Sequence, residues 1–245
     1  MDPKPQQICR FLDWDTQFFG KRIAQVTAST LSDGVAENAI EWCRQEKISC
    51  LYYLAPCEDI ESIRLAEIFG FHLVDIRMTY ELSTNIPSGL EVFPQIRLAQ
   101  VDDIPILKET ARLVFRNTRF FNDGNFPVHL CEQLYMVWIE KSCLGYAQAV
   151  WVAEETDIPV GFISCHIEDK KGVIGLVGVH PSHHHQGLGR KLVMMALSWF
   201  ASHKCPSVSV VTQGNNLAAQ RLYESYGFTI SSVKLWYHRW FEPVA

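Results

Sequence analysis

The chain has 245 residues, of which 48% are apolar and 20% charged, with a formal net charge of −5. That composition supplies a sizeable core and excludes an extended disordered chain. The acidic balance speaks against a general nucleic-acid or anionic-membrane binder, which needs a basic stripe, so an anionic ligand has to be held locally by backbone amides and a few cations.

In chain order, ICRFLDWDTQFFG (8–20) reads as a short strand or turn whose aromatics Phe11, Trp14, Phe18 and Phe19 form a packing plug, and RIAQVTAS as an alternating strand. The spacing of Ala36, Ala39, Ile40 and Cys43 predicts an amphipathic helix over 34–47. A buried strand, ISCLYYLAP, follows, then a helix from Asp59 to Phe69 ended by a left-handed Gly70, then the strand FHLVDIRMTYEL. STNIPSGLEVFP (83–94), with two prolines and a glycine, marks a domain boundary, placing a small N-terminal domain at 1–88 and a larger one at 89–245.

Beyond it, QIRLAQ is a strand, and Val101–Phe115 a helix with Asp102 or Asp103 as cap and Pro105 in its first turn. The polar segment RNTRFFNDGNFPV (116–128) reads as an irregular loop, a common place for substrate contacts, leading to a helix near 129–141. Three strands, YAQAVWVAEE, VGFISCHIED and VIGLVGVHP, joined by short polar turns, make an antiparallel meander. A loop with Gly187 and Gly189 then enters the apolar-periodic RKLVMMALSWF. Such a strand, loop and helix start turns several backbone N–H groups and the positive end of the helix dipole to one point, which suits phosphate. After it come the strand SVSVVT, the helix LAAQRLYESY stopped by Gly227, and FTISSVKLWYHRWF.

The chain repeats itself. At a constant offset of 157, Arg64/Arg221, Leu65/Leu222, Glu67/Glu224, Gly70/Gly227, Phe71/Phe228 and Tyr80/Tyr237 coincide. Ala66 stands opposite Tyr223 and no Gly-x-Gly loop precedes the first copy, so chemistry is expected in the second.

The eight cysteines, scattered without a C-x-x-C pair, read as reduced thiols. MDPKPQQICRFLDWD opens without an apolar signal-type run and no apolar stretch reaches the ~18 residues of a membrane span. A soluble, cytoplasmic protein is expected. His180, His183, His184 and His185 are too close in one loop to converge on one metal ion, and none is expected.

The strand VIGLVGVHP, the loop HHQGLGRKL and the block Asn216, Ala219, Leu222, Tyr223, Gly227, Phe228, in this order, resemble the GCN5-related N-acetyltransferase (GNAT) family from Gln95 to the end. His184 departs from the family's Gln or Arg at the head of the loop, so the loop is expected to bind through its backbone. With WDTQFFG and RFFNDGNFP, the whole chain also resembles the WecD-type enzymes, which N-acetylate a dTDP-linked 4-amino-4,6-dideoxygalactose (TDP-fucosamine).

The resemblance implies an α/β (α+β) GNAT fold, a mixed, mostly antiparallel twisted sheet flanked by helices, with a smaller degenerate GNAT-like N-terminal domain. It implies acetyl-CoA in a gap between the strands ending at Val179 and Thr212. The pyrophosphate would lie on the amides of Gln186, Gly187, Leu188, Gly189 and Arg190, and the pantetheine arm against Asn216 and the backbone of Leu176, Val177 and Val179. Tyr223 would be the acid that protonates the departing thiolate. For the base, His166 and Glu168 share one face of a strand, although their place at a turn end fits a solvated pair. The expected acceptor is a small-molecule amine on a nucleotide-linked sugar, with no nucleic-acid or membrane partner and with a homodimer left open. Acetylation of a protein or another small-molecule amine, or a non-enzymatic acyl-CoA-binding module, are the alternatives.

Overall fold

The computed structural model describes residues 8–83 and 93–242, so most of the boundary segment at 83–94 lies outside the described residues. In chain order the elements are β1 (Cys9–Phe11), α1 (Asp13–Phe19), β2 (Ile23–Val26), α2 (Asp33–Gln45), β3 (Cys50–Pro56), α3 (Ile60–Ile68), β4 (His72–Ser83) and β5 (Ile96–Leu98). A 3₁₀ turn at Val101–Asp103 leads into α4 (Ile104–Val114), followed by α5 (Arg119–Asp123), α6 (Val128–Lys141), β6 (Ala149–Glu155), β7 (Ile158–Glu168) and β8 (Lys171–Val179). The chain continues with α7 (Leu188–Ser202), β9 (Ser207–Gln213), α8 (Leu217–Glu224) and β10 (Thr229–Trp240). Two compact units result, one of residues 8–77, 119–126 and 232–242, the other of 78–83, 93–118 and 127–231.

In the first unit β1 pairs antiparallel with β2, β2 parallel with β3, and β3 antiparallel with β10. The helix α2 buries the predicted stripe of Ala36, Ala39, Ile40 and Cys43 and is capped by Ser32, whose hydroxyl accepts from the Val35 amide. Two local readings need correction. WDTQFF is the helix α1, closed by Gly20 at φ +64°, with Asp13 and Asp15 in its first turn where the helix dipole favours them. Within the supposedly irregular 116–128, residues 119–123 form the short helix α5, too brief for a periodic signal. Phe19 does act as a plug, its ring 5.2 Å from Phe120 and 4.5 Å from Phe126.

The second unit is an α/β layer on a mostly antiparallel sheet. Strands β5, β6, β7 and β8 pair antiparallel in that order, and β8 pairs parallel with β9 through the crossover helix α7. Helix α7 packs on β6, β7 and β8, and buries Leu188, Leu192, Val193, Met195, Ala196, Leu197 and Phe200. A Cβ on Gly172 of β8 would lie 2.7 Å from the Phe200 ring, so only glycine lets this helix settle so closely.

The repeat is structural. The bounds of β3 and β4 (50–56, 72–83) become those of β9 and β10 (207–213, 229–240) on adding 157, and the start of α3 becomes the start of α8. The first strand of each copy pairs in parallel with the strand before it, with one helix between.

Candidate active site

The second unit contains a strand pair that opens. β8 and β9 are paired only at Gly172–Val208, Val173–Ser209 and Ile174–Val210, although β8 runs on to Val179 and β9 to Gln213. The departure coincides with a bulge: Cys165 of β7 faces Ile174 while Ile163 faces Val177, leaving Ser164 opposite both Gly175 and Leu176. A side chain at 175 would meet His166 Nε2 and Ser164 Oγ at 2.7 Å, which is why a glycine stands there.

The bulge decides which backbone groups are free. The Leu176 amide donates to Ser164 Oγ at 2.8 Å, and the His180 amide to the Val160 carbonyl at 2.7 Å, both toward β7. By strand alternation the amides of Val177 and Val179 turn the other way, toward the gap. Of the segment expected to hold pantetheine, those two residues can offer it amides.

A cavity of ≈ 480 Å³ fills the gap. Of the residues expected from sequence, Leu176, Val177, Val179, Gly189, Asn216 and Tyr223 line it, whereas Gln186, Gly187, Leu188 and Arg190 do not. Helix α7 starts at Gly187, which sits at φ +76° and provides no side-chain cap. Its first helical bond runs from the Lys191 amide to the Gly187 carbonyl, so the amides of Leu188, Gly189 and Arg190 have no partner within the helix. The contrast with α2, plugged by its own Ser32, separates the two copies. Arg190 turns its guanidinium away to Ser225 Oγ at 2.9 Å.

The histidine loop serves its own geometry. His184 Nε2 lies 2.9 Å from the Val179 carbonyl, and because a carbonyl only accepts, the ring carries its proton there and ties the loop to the end of β8. His183 Nε2 meets Glu155 at 2.8 Å, and His180 Nδ1 meets Ser182 Oγ at 2.6 Å. Among the described residues no group of three His, Cys, Asp or Glu side chains is placed to hold a metal ion.

Asn216 caps α8, its Oδ1 accepting from the Ala219 amide at 3.2 Å, which leaves the carboxamide N–H groups as the free part of that side chain. About two turns further on, Tyr223 is 4% exposed, its ring set against Tyr80 and Phe228. Its hydroxyl makes no hydrogen bond among the described residues, and burial pushes the phenol well above its ordinary range. The only titratable side chains on the cavity wall, among the described residues, are Tyr135, His184 and Tyr223. His166 and Glu168 do not line it. His166, packed edge-on against Tyr146, is pushed below its ordinary range by burial, and Glu168 is exposed.

The opposite wall was not read from sequence. Phe115 stacks on Tyr135 at 4.6 Å, Tyr135 meets Trp138 edge-on at 5.1 Å, and Thr118 lies beside them with a buried hydroxyl. The available signal was Tyr135 and Trp138 at i and i+3 on α6.

Residues 116–228, which carry the opened strands, the uncapped helix and Tyr223, match the Acetyltransferase (GNAT) family. This region is a GNAT acetyltransferase domain. Similarity to other proteins extends beyond that region. The dTDP-fucosamine acetyltransferase of Escherichia coli O6:H1 is 26% identical over 234 residues, 93% of this chain and 96% of its own. SpsD, a spore coat polysaccharide biosynthesis protein of Bacillus subtilis, is 22% identical over 237 residues, covering 93% and 81%. Among solved structures, a GCN5-related N-acetyltransferase from Sphaerobacter thermophilus shares the GNAT fold with a TM-score of 0.67 at 15% identity, over 97% of this chain and 77% of that one. Among the described residues no helix is long and apolar enough to cross a membrane.

Proposed function

We propose that this chain moves the acetyl group of acetyl-CoA directly to the primary amine of a nucleotide-linked amino-deoxy sugar. The observation that carries the donor is the opened β8–β9 pair, with an uncapped α7 terminus and an unpartnered Tyr223 hydroxyl belonging to the same unit. Pantetheine completes the free edge of β8 as an added strand would. The pyrophosphate rests on the α7 amides, where the helix dipole favours negative charge. Asn216 donates from its carboxamide nitrogen. The sugar acceptor is supported by similarity along nearly the whole chain to an enzyme named for dTDP-fucosamine.

In the reaction the amine nitrogen forms a bond to the thioester carbonyl carbon, and the oxygen takes up negative charge opposite a β8 amide, Val177 or Val179. Collapse breaks the C–S bond, the sulfur takes the Tyr223 proton, and the proton released by the nitrogen passes through water to restore the phenol, so that the products are the amide and the free thiol. Unperturbed phenol (~10) and thiol (~8.5) values make complete transfer uphill by about 2 kcal/mol. Burial raises the Tyr223 phenol further, which makes complete transfer costlier. A hydrogen bond strengthening on the forming thiolate therefore accounts for the role better than a discrete tyrosinate. With no carboxylate on the wall among the described residues, the amine must arrive neutral, which suits amines of modest basicity.

The test is free-thiol release from acetyl-CoA across amines: amino sugars on dTDP or UDP, polyamines and peptides. The proposal expects release with a nucleotide amino sugar at a kcat/KM at least ~100-fold above the peptides, the discrimination a few polar contacts give. Release confined to peptides would overturn the acceptor assignment.

A further inference from the structure

The motif RFFNDGNFP and the strand end WYHRW build something in the first unit that acetyl transfer does not use. The Arg119 guanidinium lies 4.3 Å from the ring centre of Tyr52, 4.4 Å from Phe120 and 4.1 Å from Trp236. Among the described residues it has no carboxylate within ion-pair distance. Its Nη1 is 3.2 Å from His238 Nε2. A guanidinium can only donate, so this nitrogen of His238 is the acceptor and the ring proton sits on Nδ1, which donates to Asp123. Trp240 Nε1 donates to both oxygens of the same carboxylate, at 2.9 and 3.0 Å. The side chains of His238 and Asp123 are 0% and 1% exposed.

The result is a relay of carboxylate, neutral imidazole and guanidinium. Burying it costs desolvation that an apolar trio would avoid. What it gains is a planar cation fixed in orientation, with Nε and Nη2 uncommitted among the described residues. The Tyr52 hydroxyl, enclosed in the same cluster, has no hydrogen-bond partner among the described residues either.

We infer that Arg119, oriented by His238 and Asp123, is an anion site for a phosphate or diphosphate group, separate from the α7 terminus. A rigid guanidinium fork matches two phosphate oxygens, which a lysine does not. The acidic groups that oppose an anion here are Asp15 and Asp75, both pushed upward by burial, Asp75 to about 6. Asp123 is occupied by His238 and Trp240. Arg77 adds to the positive side. The inference deepens the nucleotide-sugar reading but does not depend on acetyl transfer.

The experiment is calorimetric titration of the full chain with inorganic pyrophosphate and, separately, thymidine diphosphate. Each is run with saturating CoA present, so that the α7 terminus is filled, and again on Gly187→Glu without CoA. The wild type with CoA and Gly187→Glu without it are each expected to take up one equivalent of probe. Tighter binding of thymidine diphosphate than pyrophosphate identifies a nucleotide source, and equal binding a free-phosphate source. Arg119→Gln should weaken binding at least ~10-fold, Arg119→Lys several-fold, and His238→Gln to a similar degree as Arg119→Lys. Arg119→Lys, which keeps the charge and the stem, decides the matter if Arg119→Gln fails to fold. No uptake of either probe by the wild type at millimolar concentration, or unchanged affinity in a folded Arg119→Lys, would overturn the site. Loss of CoA binding alone would count against the acetyl-CoA assignment and leave this one standing.

Discussion

Replacing Tyr223 by phenylalanine removes one oxygen from the cavity wall and little else. The ring keeps its contacts with Tyr80 and Phe228, and since the hydroxyl makes no hydrogen bond among the described residues, none is lost. Stability should change by less than about 1 kcal/mol, the scale of a single hydrogen bond that is absent here. Turnover should fall much further. A positioned acid contributes ~10²–10⁴-fold, so the lower bound corresponds to ~2.7 kcal/mol of transition-state stabilisation. Because the phenol acts on developing sulfur charge and not on ground-state thioester, the loss should appear in kcat, with acetyl-CoA affinity nearly unchanged. Steady-state thiol release and a binding titration on the same preparation separate the two. Wild-type turnover in Tyr223→Phe would refute the acid assignment, and an equal loss of affinity would make the hydroxyl a binding group.

Two further outcomes follow from the geometry. Gly175→Ala places a methyl group 2.7 Å from Ser164 Oγ and His166 Nε2, so the bulge must shift; about 1–3 kcal/mol of stability by urea denaturation and a raised KM for acetyl-CoA are expected, and a variant unchanged in both would show that the bulge does not shape the site. Burial lowers His238 to about 4, so the folded state stays neutral where the unfolded chain, near 6.5, takes a proton; its stabilising contribution is whole above pH 6.5 and declines by up to about 3 kcal/mol as pH falls to 4. Asp75 has the opposite sign: its carboxyl is raised to about 6, so acidification below that favours the folded state, by a smaller amount because the group is partly open to water. Asp75→Asn should therefore steepen the acid-side loss of stability between pH 6.5 and 4, and His238→Gln should flatten or reverse it; identical slopes in both variants and the wild type would refute these assignments.

Much of the site was legible because its local chemistry is written in residue types. Gly187 is needed at a positive φ, and Asn216 is a helix cap followed about two turns later by Tyr223, so spacing alone puts both at α8. The 157-residue offset, visible as six coincident pairs, proved to be a repeat of whole elements. What stayed hidden depends on contacts distant in sequence. That β8 and β9 part after Ile174 is a matter of ladder pairing, and that the Leu176 amide is consumed by Ser164 follows from a bulge twelve residues away. The bond from His184 to the Val179 carbonyl could not be inferred from a loop that departs from its family pattern. Helix α1 was missed for a different reason. Its signals, acidic residues in the first turn and a closing glycine, were present but outweighed by clustered aromatics that also suit a strand.

The central claim is that acetyl-CoA occupies the opened strands with its pyrophosphate on the α7 terminus, and Gly187→Glu addresses it most directly. No atom lies within 4 Å of the position a Cβ would take, so the side chain has room, and the left-handed backbone costs about 1–2 kcal/mol. A carboxylate at this point is favoured by the helix dipole, so the helix persists while its anion site is filled from within. Titration of acetyl-CoA into wild type and variant, with thermal melts to confirm folding, should give one-to-one binding in the first and at least ~100-fold weaker binding in the second, by removing amide contacts and adding like charge. Equal affinity in a folded Gly187→Glu would contradict the account.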